Sequence, residues 1–199
     1  MNRPRFKRTN SLISAIIVCL VALLGLSKAS AQQTQPAGSS QYTMQEMVDQ
    51  GHLYFGQTTD GLARVVEKAF ERYGLPNGYI LGEEASGAFI GGLTYGEGQL
   101  FTKNAGEHPV YWQGPSLGFD YGGQGSRVMM LVYDLHNIQQ VYGRFGGLSG
   151  QAYIVAGVGM TVMQGSNVIV VPIRTGVGAR LGVNVGYLKL TSRPTWNPF

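Results

Sequence analysis

The chain has 199 residues, 44% of them apolar and 13% charged, with thirty glycines, one cysteine and a formal net charge of +4. That length suits a single domain with a sizeable core, and a lone cysteine excludes an internal disulfide. The positive charge is local: five of the fifteen Lys and Arg and none of the eleven Asp and Glu fall in the first 31 residues, so the remainder is too evenly balanced for a nucleic-acid footprint.

The first predicted element is a leader. Arg3, Arg5, Lys7 and Arg8 form a basic stretch, Leu12 to Leu26 an apolar run, and Ala29-Ser30-Ala31 the small residues of a cleavage site. This is the pattern of a secretory signal peptide, and the run is shorter than the ~20 residues a spanning helix needs. It predicts cleavage after Ala31 and a mature chain that begins at Gln32, without a transmembrane segment. Cys19 lies inside the leader, which leaves no thiol nucleophile and no thiolate ligand in the mature protein. Residues 32–42 read as a disordered linker, and residues 43–199 as one folded domain.

Thr43 with Glu46 three residues later reads as a capping box that opens a short helix over Met44 to Leu53. A second helix runs from Leu62 to Tyr73. Leu62, Val65, Val66, Ala69, Phe70 and Tyr73 fall on one stripe, charged residues take the other face, and Asp60 and Gly74 stand where caps belong.

The period then changes to two. Strands are predicted over Gly78 to Glu84, Gly87 to Tyr95 and Gln99 to Lys103, with Gly96-Glu97-Gly98 as the turn between the last two. Val110 to Gln113 and Leu117 to Tyr121 follow. Arg127 to Tyr133 holds Val128-Met129-Met130-Leu131-Val132, apolar on both faces, and reads as a buried central strand. A helical turn capped by Asp134 is expected near His136 to Tyr142, then strands over Gln151 to Met163, Val168 to Arg174, Gly176 to Val183 and Val185 to Leu190. The fold class is mainly β with short helices (α+β): a small antiparallel β-barrel with an amphipathic N-terminal helix packed on it, its glycines letting strands coil and bend.

No catalytic constellation emerges. His52, His108 and His136 stand at no ligand spacing, so no metal is expected. Gly147-Leu148-Ser149-Gly150-Gln151 lacks the last glycine of a nucleophile elbow and reads as a loop. Gly176 to Gly182 resembles a shifted dinucleotide fingerprint, but no helix follows it, so no cofactor is expected. Glu83 and Glu84 are adjacent in a strand, point to opposite faces and read as edge or rim charges. Arg127, Arg174 and Arg180 sit beside strands in a charge-poor region. Two readings stay open: receivers of an anionic head group at a barrel mouth, or solvated strand ends. Trp112 and Phe119 are barrel wall or the walls of an apolar ligand groove.

Gly114-Pro115-Ser116-Leu117-Gly118-Phe119-Asp120-Tyr121-Gly122-Gly123-Gln124, with the apolar strand after it, resembles the core motif of the SYLF lipid-binding domain. Arg127 departs from it, standing where that family commonly carries an acid. Over roughly Thr43 to Phe199 the chain resembles the EipA family of periplasmic envelope-integrity proteins. The carriers are the helix Leu62 to Tyr73, the segment Gly78-Tyr79-Ile80-Leu81-Gly82-Glu83-Glu84-Ala85-Ser86-Gly87, and the end Thr191-Ser192-Arg193-Pro194-Thr195-Trp196-Asn197-Pro198-Phe199. The resemblance implies a small β-barrel related to SYLF and a role in maintaining the cell envelope, and no known ligand or reaction. With the leader and the absence of a catalytic set, a periplasmic non-enzymatic protein is expected, with a lipid or envelope glycolipid, or another envelope protein, as partner. An outer-membrane barrel is the alternative. Pro194 and Pro198 and the doubly apolar strand at Val128 oppose it.

Overall fold

The computed structural model describes residues 40–56, 60–87, 92–115, 126–175 and 186–197. The leader, most of the linker, the strands expected at Leu117 to Tyr121 and Gly176 to Val183, the candidates Phe119 and Arg180, and most of the SYLF-like segment lie outside these residues.

Two helices precede the sheet: α1 (Met44–Phe55) and α2 (Leu62–Tyr73). The Thr43 hydroxyl accepts from the Glu46 backbone N–H while the Glu46 carboxylate accepts from the Thr43 N–H, so the predicted capping box forms. Gly74 closes α2, its N–H donating to the Phe70 carbonyl. The other end of α2 departs from expectation. The N-cap is Gly61, without a side-chain cap, in place of Asp60. Packing decides this, because a Cβ on Gly61 would overlap the Val155 carbonyl oxygen.

Eight strands follow: β1 (Gly78–Gly87), β2 (Leu93–Thr102), β3 (Gly106–Pro115), β4 (Ser126–Tyr133), β5 (Gly143–Val155), β6 (Val158–Gly165), β7 (Val168–Thr175) and β8 (Tyr187–Thr191). They close into an antiparallel barrel in the order β1-β2-β3-β8-β5-β6-β7-β4. Eight strands leave an interior that side chains can just fill. Here Ile80, Leu100, Val110, Trp112, Met130, Val132, Phe145 and Val170 fill it, all buried. Leu135 and Val141 in the β4–β5 connection, with half-buried Ile138 and Tyr142, pack against the same cluster and plug one end. At the other end β1 joins β2, β3 joins β4, β5 joins β6 and β7 joins β8.

The second core lies outside the wall. Met47 of α1 and Leu62, Val65, Val66 and Ala69 of α2 are buried against Met129, Leu131, Tyr133, Val158, Val162, Val171 and Ile173. The predicted stripe of α2 therefore faces the barrel, with Phe70 and Tyr73 half-buried at its margin. β4 is apolar on both faces because its inner side meets the lumen and its outer side meets the helices.

Four further expectations are corrected. Gly96-Glu97-Gly98 lies in the middle of β2, where the chain runs straight across from β1 and β3. The expected strand Gln151 to Met163 is two strands joined at Ala156 and Gly157, both at positive φ. Its alternating apolar residues run through the turn, so the pattern did not mark the break. The segment Gly147 to Gln151 lies within β5, across a register irregularity, and is not a loop. The turn after β4 is a 3-10 helix over Ile138–Val141 capped by Asn137 and Gln140, not by Asp134.

Candidate functional site

The alternation of β1 fixes the site. Ile80 points into the lumen, so Gly82 and Glu84 share its face, while Glu83 points out. Glu84 is buried. Its carboxylate accepts two charge-assisted bonds from Arg174 on β7, Nε at 2.6 Å and Nη2 at 3.1 Å, and a third from Trp112 Nε1 at 3.1 Å. The Arg fork holds both carboxylate oxygens, the strong form of this pair. A charge pair in an apolar barrel stands only with its remaining polar atoms satisfied, and the indole N–H serves that need.

Gly96, one of the glycines misread as a turn, makes this arrangement possible together with Gly82 of β1. A Cβ on Gly96 would overlap the Trp112 ring, and one on Gly82 would sit 2.7 Å from its Cη2. The ring lies flat on bare backbone, which lets its N–H reach Glu84.

The predicted arginines do not form one cluster. Val128 pairs with Arg174 and faces inward, so its neighbour Arg127 faces outward. There Arg127 Nη1 donates to the Tyr54 carbonyl at 2.8 Å, its guanidinium lies 5.6 Å from the Tyr54 ring, and Glu83 is 3.8 Å away. Arg127 therefore fastens α1 to the outer wall. Trp112 is core, with 1% of its surface exposed. Glu84 is the residue the sequence reading missed as a rim charge. The signal that could have found it is its parity with Ile80 in one strand. His108 Nε2 and His136 Nδ1 bond to the carbonyls of Ala105 and Asp134. Among the described residues no three His, Cys, Asp or Glu side chains come together as metal ligands.

A second polar cluster holds the N-terminal segment to the plugged end. Tyr42 N–H donates to the Pro76 carbonyl at 2.8 Å, and Lys103 Nζ bonds both Glu46 oxygens at 2.9 and 3.1 Å and lies 4.8 Å from the Tyr42 ring centroid. Tyr42 packs edge-on against Tyr79, which stacks on Phe101. Partial burial by itself pushes the Glu46 carboxyl up. The Thr43 N–H and hydroxyl and the Lys103 ammonium outweigh it and hold the group down at about 2. Burial, then Tyr79 and the Glu46 charge, push the Tyr42 phenol up to about 12.

A family profile described as envelope integrity protein A matches residues 40–199. The chain belongs to the envelope integrity protein A family. Its description ties this barrel to the integrity of the cell envelope. A beta-barrel-like, uncharacterized protein from Brucella abortus, known from a crystal structure, is 66% identical; the match covers 81% of this chain and all of that one, with a TM-score of 0.76. A glycerol kinase from Thermus brockianus is 25% identical over 183 residues, which are 90% of this chain and 31% of the kinase. The chain thus spans less than a third of that curated relative, and no kinase activity is carried over from it.

Proposed function

We propose that this member of the envelope integrity protein A family is a non-enzymatic binding platform that works in the periplasm. The observation that carries the reading is the filled barrel. Among the described residues the lumen holds Trp112, Phe145 and a layer of Val, Leu and Met, and the Glu84–Arg174 pair is spent on itself and on the Trp112 indole. The described part of this interior is filled by side chains rather than shaped as a chamber. Recognition is assigned to the outer surface and to the end opposite the β4–β5 connection. The periplasmic location rests on the leader: basic residues, apolar run and Ala29-Ser30-Ala31. An apolar interior and a helix layer over β4, β6 and β7 are the reverse of a membrane barrel, which is polar within and apolar without.

The bound component is a lipid or lipid-linked envelope intermediate, held by its head group. The likeness of Gly114 to Gln124 to the core motif of a lipid-binding domain favours this. A protein partner is the competing reading. Osmotic shock followed by native mass spectrometry of the released protein, with lipid extraction alongside, tests the proposal. Release into the shock fluid with a stoichiometric lipid adduct supports it. A bare mass with a crosslinked envelope protein turns the platform into a scaffold, and retention in the outer membrane overturns the periplasmic reading.

A further inference from the structure

The helices cover β4, β6 and β7. The wall formed by β2, β3 and β8 has a cover of another kind, the segment that follows β8. Thr191 Oγ1 donates to the Arg193 carbonyl at 2.8 Å, Tyr95 Oη to the Trp196 carbonyl at 3.1 Å, and Lys189 Nζ to the Asn197 carbonyl at 3.0 Å. Lys189 precedes Thr191 in β8, so residues 192–197 double back over the wall as a short strap. Tyr95 and Lys189 are the register partners of Gln113 on its two sides. All three face outward, because Trp112 faces the lumen and side chains alternate along a strand. The strap therefore crosses over Gln113, which is 1% exposed although it stands on the outside of the barrel.

This cover fits its floor badly. Gln113 Nε2 donates to Thr191 Oγ1 at 3.1 Å, but Gln113 Oε1 is buried with no hydrogen-bond partner among the described residues. Turning the amide over does not cure this. The Thr191 hydroxyl has one proton, and its other contacts are the carbonyls of Arg193 and Tyr111, at 2.8 and 3.4 Å. It gives its proton to a carbonyl and accepts from Gln113. Pro194, between the anchored ends of the strap, has no N–H to offer. A buried acceptor left unpaired weighs against the closed strap. Trp196 adds little to closure, since its ring touches Tyr95 and stays 84% exposed. The wall donors are matched to something more general. Thr191, Tyr95 and Lys189 each hold a backbone carbonyl of the strap, a contact that an extended polypeptide of any sequence can make.

We propose that the strap is an exchangeable cover: residues 192–197 occupy a groove for extended polypeptide on the outer wall and give way there to a segment of a partner protein. A segment that also brings Gln113 Oε1 a donor displaces the strap with advantage. The inference goes beyond the platform reading, because it concerns a separate surface and stands whether or not a lipid is bound elsewhere.

The test uses the chain from Gln32 onward, which has no cysteine. Gln113→Cys places a thiol under the strap, and Val110→Cys places one in the lumen. If the strap opens by itself, the first is expected to react with iodoacetamide at least about tenfold faster than the second, at a rate that low urea leaves unchanged. Equal rates with equal urea dependence mean that the strap leaves only when the barrel unfolds, and overturn the proposal. A second measurement keeps the wall intact. A fluorescein-labelled peptide with the sequence Thr191 to Asn197 is expected to bind the parent chain saturably but weakly, because the tethered strap competes at high effective concentration. Pro194→Gly in the chain, at an exposed position, favours the open strap by chain entropy and is expected to tighten peptide binding by about threefold to fivefold. No binding, or equal binding by the two chains, overturns the proposal. A dimer that the peptide dissolves assigns the groove to the strap of a second copy and overturns the partner protein. A lipid adduct in native mass spectrometry with a silent peptide titration refutes the groove while leaving the platform standing.

Discussion

At the scale of single residues, the buried carboxylate is the most exposed to error. Glu84→Gln leaves Arg174 inside the barrel without a counter-charge, and the loss is expected to be about 3–5 kcal/mol in urea unfolding. Removing both charges, as Glu84→Gln with Arg174→Met, is expected to recover most of it, because two charges lifted out of an apolar interior relieve desolvation as well as attraction. A double variant as unstable as the single one would show that the pair stabilises the fold by more than its own balance. Tyr133 makes the opposite case. Its hydroxyl is buried between α2 and the wall with no hydrogen-bond partner among the described residues, and burial together with Tyr73 drives its pKa up. Tyr133→Phe is expected to leave stability unchanged or raise it by about 1 kcal/mol, read as a melting temperature at or above that of the parent.

Among elements, the attachment of the helices is the weakest joint by charge and the strongest by burial. Val66 is fully buried on α2, so Val66→Asp places an unpaired carboxylate against β6 and β7 and is expected to destabilise by roughly 3 kcal/mol or more. The α1 end answers to acid. The Glu46 carboxyl titrates at about 2 in the folded chain, below its ordinary value. Its contribution is therefore complete above that ordinary value and disappears as pH falls through about 2. Lys103→Met should narrow that window, and hydrogen exchange at Tyr42 and Glu46 measured from pH 5 to pH 2 would show it. The same elements show what the sequence could convey. α2 was legible because Leu62, Val65, Val66 and Ala69 repeat at the helical period and meet a partner that needs only an apolar face. The capping box was legible because both of its members lie within one turn. Glu84 was not, because its partner stands 90 residues away and no local pattern announces an ion pair across a barrel. Gly96 and Gly98 misled because a glycine that frees a turn looks, in sequence, like one that makes room for an indole, as Gly96 does, or for the neighbouring strand's backbone, as Gly98 does. The anion receivers expected at Arg127 and Arg174 could not be told apart by sequence either, since only the register of β4 on β7 shows that one faces out and the other in.

For the whole molecule, closure sets the pace. β1 pairs with both β2 and β4, and β3 waits for β8, so the barrel cannot close until distant segments meet. Loop closure of that kind slows folding into the millisecond-to-second range. Stopped-flow refolding followed by Trp112 fluorescence is expected to give a main phase between roughly 10 ms and 1 s; a burst within the dead time would mean that the β3 side assembles without β8. The doubly apolar β4 has one more consequence, which belongs to the order in which the chain is made. Both helices leave the ribosome before β4 does. The outer face of β4 meets its cover as soon as it emerges, while its inner face stays sticky until β5 to β8 have been synthesised. The nascent chain thus passes through a stage with one greasy side, and during it a holding chaperone has more to grip than at any earlier point of synthesis.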